Sequence, residues 1–135
     1  MRTLIASLAI AAVGALASQA QAQAQAQNGC DGPKTGFDAV YCFARVYMEL
    51  DGQLNANYRA LLKQVSSPQA IVLRQGQRNW MAMRDRTCLD AGGEGYKVNI
   101  NCAIGTTRRR VQFLSDRIAE CRANGCRMTL LGTVN

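Results

Sequence analysis

The chain has 135 residues, 48% of them hydrophobic, with 16 Lys+Arg against 9 Asp+Glu and no histidine. That length holds one small domain, and the apolar share is too high for a disordered polypeptide. Without histidine, a Ser-His or Cys-His nucleophile pair and any histidine-bearing zinc or iron site are excluded, and there is no room for a separate cofactor domain.

Residues 1–26 read as a secretory signal with an Ala/Gln-rich leader. Arg2 is the positive start, Leu4 to Ala17 is an uncharged apolar run, and Ala-x-Ala spacings from Ala20 to Ala26 suit a signal peptidase. The run is short of the roughly 20 residues that span a bilayer. No cysteine follows it closely enough to carry a lipid, and no later stretch is long and apolar enough to anchor. Residues 27–135 are therefore expected as a single periplasmic or secreted domain with no transmembrane anchor after cleavage.

Six cysteines lie beyond the leader: Cys30, Cys42, Cys88, Cys102, Cys121 and Cys126. An even count in an exported chain implies a disulfide framework. Several pairings are open; the preferred one joins sequence neighbours, Cys30–Cys42, Cys88–Cys102 and Cys121–Cys126, because each pair brackets a Gly-rich or polar turn. No Cys-x-x-Cys spacing occurs, which argues against a redox or metal role.

Three helices and no convincing strand are predicted. The first runs from Thr35 to Val65, with Thr35 as cap and Asp38 at the capping-box position. Its apolar stripe is Phe37, Val40, Tyr41, Ala44 and Met48, continued by Leu54, Tyr58, Leu61, Leu62 and Val65. Asp51-Gly52 is a weak point at which the helix divides or continues. Ser66-Ser67-Pro68 ends it and starts the second helix, Pro68 to Cys88. Val72, Gly76, Trp80, Met83 and Thr87 share one face there, and Gly76 permits close backbone approach. The glycines of Asp90-Ala91-Gly92-Gly93-Glu94-Gly95 rule out helix in the connection. The third helix, Cys102 to Cys121, has a heptad-like seam of Ile104, Thr107, Val111, Leu114, Ile118 and Cys121. Met128 to Leu131 is expected to pack back on the bundle. The fold class is all-α: a small disulfide-stapled bundle with a Gly-rich loop.

Removing Arg2 with the leader leaves 15 Lys+Arg against 9 Asp+Glu, a net +6. Arg108, Arg109 and Arg110 fan over a wide arc and are all expected to point outward, forming either a solvated face or a contact for anionic envelope polymers. Nucleic acid is not expected as the partner of an exported chain. The nine acids form no catalytic constellation, so no enzyme, cofactor or metal is expected.

Gln77-Arg78-Asn79-Trp80-Met81-Ala82-Met83-Arg84-Asp85-Arg86-Thr87-Cys88 resembles the Q-R-x-W-x-x-x-R-D-x-x-C hallmark of the LprI-type lysozyme-inhibitor family. Leu50-Asp51-Gly52-Gln53-Leu54-Asn55-Ala56-Asn57-Tyr58 is similar to that family's L-D-x-x-L-N-x-x-Y helix. Cys30 and Cys42 match its opening cysteine pair. Gly92-Gly93, Asn101-Cys102 and Thr107 match its glycine loop, later cysteine and T-x-x-R helix, with Arg108 or Arg110 as the matching arginine. The likeness covers about Cys30 to Leu114. It departs in the Cys121–Cys126 extension and in lacking a lipid-attachment cysteine.

The resemblance implies a small exported helical domain that inhibits lysozyme by protein–protein contact, and it implies no catalytic residues. The motif residues Leu54, Asn55, Tyr58, Gln77, Arg78, Trp80, Arg84 and Asp85 have a structural reading, with Trp80 as core. Arg84 and Asp85 diverge by about 100° on a helix and are not expected to pair; helix-end carbonyls or Asp51 are the expected partners of Arg84. The loop pinned by Cys88–Cys102 offers Glu94, Tyr96 and Lys97 as the contact surface. The other reading is a basic envelope module that binds anionic polymers or envelope proteins.

Overall fold

A computed structural model describes residue 30, residues 36–90 and residues 97–134. The leader, the Thr35 cap, Glu94 and Tyr96 lie outside the described residues. Helix α1 spans Gly36–Leu62 and α2 Ser67–Cys88; β1 is Leu89–Asp90, β2 is Lys97–Val98, α3 is Ile100–Asn124 and α4 is Met128–Leu131. The domain is all-α apart from a two-residue antiparallel ribbon, in which Leu89 faces Val98 and Asp90 faces Lys97. That ribbon corrects the expectation of no strand: two residues per strand leave no periodicity to read. Three disulfides join Cys30 to Cys42, Cys88 to Cys102 and Cys121 to Cys126.

Helix α1 runs unbroken through Asp51-Gly52 and pairs most extensively with α3. Pro68 lies in the first turn of α2, where a missing N–H costs nothing. Oε1 of Gln69 accepts from the N–H (2.9 Å) and the hydroxyl (3.0 Å) of Ser66. Its amide donates to the Cys126 carbonyl at 2.6 Å, so the start of α2 also holds the Cys121–Cys126 turn. Asn99 caps α3 by accepting from the N–H of Cys102 at 3.0 Å. Gly125, at φ 80°, ends α3 in a backbone conformation that favours glycine.

Leu54, Leu61, Leu73, Trp80, Leu114 and Leu131 form one core cluster, and Cys30, Cys42, Val46, Leu50 and Ile104 a second. Leu131 brings the tail onto the bundle. A Cβ on Gly76 would stand 2.9 Å from the Gly132 Cα and 2.9 Å from the Leu131 carbonyl oxygen, so only glycine lets the tail cross α2 this closely.

Three sequence expectations are corrected by packing. The stripe Phe37, Val40, Tyr41 and Met48 is exposed, whereas α1 buries Cys42, Val46 and Leu50. This helix is apolar on two faces, and the Cys30–Cys42 bridge and Ile104 occupy the other one. In α2, Thr87 is exposed and Leu73 and Gln77 are buried in addition to Gly76 and Trp80. In α3, Arg108 and Arg109 are exposed but Arg110 is fully buried. That helix is covered on two sides, so its buried arc runs through Ala103, Thr106, Thr107, Arg110 and Leu114 and is wider than the heptad seam.

Candidate functional site

The polar chemistry around α2 separates into a buried half and an open half. In the buried half, Arg110 donates from Nε to Oε1 of Gln77 at 3.1 Å and from Nη1 to the Thr133 carbonyl at 2.7 Å. Its guanidinium lies 4.5 Å from the Phe113 ring centre and 5.8 Å from that of Trp80. Burial pulls its pKa down to about 10, partly offset by Tyr58, and it stays charged at neutral pH. Trp80 is fully buried and Leu54 nearly so, with Tyr58 packed against the same cluster. Arg110 therefore takes the arginine place of the T-x-x-R pattern, three residues after buried Thr107.

The open half is Arg84 and Asp85. Arg84 reaches across the Trp80 ring, 5.2 Å from its centre. Nε and Nη2 donate to Oδ1 of Asp85 at 3.0 and 2.8 Å, and Nη1 donates to the Tyr47 hydroxyl at 3.1 Å. The expectation that these neighbours do not pair is thus corrected: their Cβ atoms diverge, but the arginine stem is long enough to lie along Trp80 and turn back. Asp51, the expected partner of Arg84, instead accepts from Asn55 Nδ2 at 2.9 Å. Arg78 is exposed and donates to Gln75.

These groups border a cleft of about 250 Å³. Tyr47 of α1 and Arg84 and Asp85 of α2 form its polar side. Leu89 and Val98 at the base of the ribbon, with Ile100 and Ala103 of α3, form its apolar side. The Cys88–Cys102 bridge closes the same base, and the Asn99 N–H donates to the Cys88 carbonyl at 2.8 Å. A ribbon too short to be stable alone is held in place by a covalent link and a helix cap. Leu89 and Val98 are exposed beside the cleft, and Lys97 is exposed on β2.

Of the residues offered for contact, Lys97 is thus placed at this rim, whereas Glu94 and Tyr96 belong to the undescribed 91–96 segment between the strands. Sequence reasoning missed Tyr47, Leu89 and Val98. Tyr47 belongs to no motif, and the other two are ordinary apolar residues flanking a turn.

Among the described residues, no group of three or more His, Cys, Asp or Glu is placed to hold a metal, and no helix is long and apolar enough to cross a membrane. A family model described as "Lysozyme inhibitor LprI" matches residues 17–114. No curated protein and no solved structure matches the chain.

Proposed function

Since the chain belongs to the LprI lysozyme-inhibitor family, whose members act by binding and not by catalysis, we propose that it is an exported inhibitor that grips lysozyme at the Cys88–Cys102 ribbon. The observation that carries this reading is the position of Arg84 and Asp85. These two motif residues lie outside the buried core and line the cleft at the base of the ribbon, which a disulfide and a helix cap both hold. A rigid base lowers the ordering cost of binding. The exposed Leu89 and Val98 offer apolar contact area and Lys97 a charge at the rim, and Glu94 and Tyr96 are proposed as further contacts on the sequence alone. The reading takes residues 1–26 as a leader that delivers the domain to the periplasm or outside the cell, where cell-wall lysis occurs.

The net charge of +6 on residues 27–135 opposes encounter with a cationic lysozyme. Association should therefore speed up with added salt, the reverse of ordinary electrostatic steering. Binding to an anionic envelope polymer through exposed Arg108 and Arg109 has the opposite dependence and collapses with salt.

The experiment is a turbidity assay of bacterial cell-wall lysis, with oxidised protein spanning residues 27–135 added to lysozyme at several ionic strengths. Inhibition by the wild type that falls in Glu94→Ala and Tyr96→Ala, at unchanged melting temperature, supports the reading. Absence of inhibition well above micromolar concentration, with salt-sensitive retention on anionic polymers, would replace it with the envelope-binding module.

A further inference from the structure

The N-terminal half of α1 carries an apolar face that lies outside both core clusters of the described residues. Phe37 is 82% exposed, Val40 67%, Tyr41 65% and Met48 72%, and none of them belongs to either core cluster. At i, i+3, i+4 and i+11, with Ala44 between, they form one stripe on the side of the helix away from buried Cys42, Val46 and Leu50. Large apolar side chains at these exposures present on the order of 500 Å², at the upper end of what a monomer leaves open.

We propose that this face is the interface of a symmetric dimer, in which α1 of one copy packs antiparallel on α1 of another. Tyr41, Ala44, Arg45 and Met48 line a shallow groove of about 340 Å³, and Ala44 is the smallest of the four side chains. A two-fold axis between Cys42 and Phe43 brings the Tyr41 ring of each copy over Ala44 of the other. The same axis sets Phe37 against Met48, an aromatic–thioether contact, and lays the Arg45 stem along Val40. One register thus matches a large residue to a small one twice, as an isologous interface requires.

Charge selects the same register. Asp38 and Arg45 lie on one flank of the stripe, two helical turns apart, both exposed and with no ion pair to another described residue. In an antiparallel pair each flank meets its own copy, so Asp38 comes within about 3 Å, measured along the axis, of the partner copy's Arg45. Two equivalent ion pairs then border the apolar seam. Two copies together bury about 1,000 Å², the lower bound for a specific interface. The expected dimer is accordingly reversible.

Sedimentation velocity of the oxidised protein, residues 27–135, from low micromolar to several hundred micromolar tests this. The expected result is a monomer–dimer equilibrium that Tyr41→Asp abolishes. Arg45→Asp should weaken it about tenfold by replacing attraction with like-charge contact, and the double exchange Asp38→Arg with Arg45→Asp should restore it. Near-UV circular dichroism checks that each variant is folded. A monomer at every concentration overturns the proposal, as does a dimer that these variants leave intact. A monomer whose Tyr41→Asp form stays folded but loses lysozyme binding would assign the face to lysozyme and also overturn it.

Discussion

Arg110 lies entirely inside the protein and donates from Nε to the Gln77 side-chain oxygen at 3.1 Å. This bond joins α2 to α3, two of the three motif-bearing helices, and the second donation of Arg110, to the Thr133 carbonyl, brings in the tail. Arg110→Ala should cost about 3 kcal/mol or more by urea denaturation, since it leaves a cavity beside two rings and two acceptors unpaired. Arg110→Lys should not restore the loss, because an ammonium lacks the planar fork.

The same residue gives a pH test with a definite sign. Its folded pKa is lowered to about 10, below the unfolded value, so the folded state releases the proton first and the unfolded state binds more protons above that pH. The stability difference between wild type and Arg110→Met should be flat from about pH 5 to about pH 9 and shift toward the wild type above about pH 10. A drift in that difference through neutral pH would contradict the assignment.

Trp80→Ala should lose about 3–5 kcal/mol, as buried aromatics do, and lower the yield. Tyr96, which the sequence offers for contact and not for the core, should tolerate Tyr96→Ala within about 0.5 kcal/mol of wild type. A stable Trp80→Ala that loses only lysozyme binding would move the tryptophan from the core to the contact surface.

Gly76→Ala tests the tail. A methyl at 2.9 Å from the Gly132 Cα and the Leu131 carbonyl oxygen forces backbone apart, at a cost of about 1–3 kcal/mol. Hydrogen exchange should accelerate at Leu131 and Thr133 while α1 keeps its protection. Uniform acceleration across the domain would mean that the tail is not a separable element.

Much of this architecture is legible in residue order. Pro68 after Ser66-Ser67 marks the α1–α2 break, Gly76 marks a close crossing, and the seam from Ile104 to Ile118 marks α3. What stayed hidden depends on neighbours that only the assembled chain supplies. The choice between the two apolar faces of α1 is made by the Cys30–Cys42 bridge and Ile104. The burial of Arg110 follows from α3 being covered on two sides, whereas fanning three arginines around an isolated helix puts all of them in solvent. The cleft was half legible: Arg84, Asp85 and the disulfide stand out in the motif, but Tyr47 comes from a distant part of α1.

Peptide mapping of the non-reduced protein should recover the three neighbouring disulfides. Replacing both Cys88 and Cys102 by serine opens a bridge of sequence separation 14, for which the chain-entropy model gives about 3 kcal/mol. Because that bridge closes the foot of the ribbon, lysozyme inhibition in the folded fraction should fall further than in the corresponding Cys121/Cys126 variant. Equal inhibition by the two variants would separate the ribbon from the contact surface.

The most direct measurement is the equilibrium affinity of the oxidised domain for lysozyme, by titration calorimetry, for wild type and for Arg84→Gln. Loss of the Arg84 guanidinium releases Asp85 and the Tyr47 hydroxyl at the mouth of the cleft while Trp80 stays buried. The expected result is binding by the wild type and an affinity at least about tenfold weaker, equivalent to about 1.4 kcal/mol, in a variant whose melting temperature is close to that of the wild type. Equal affinity of the two proteins would contradict the assignment of the Arg84 cleft as the lysozyme contact.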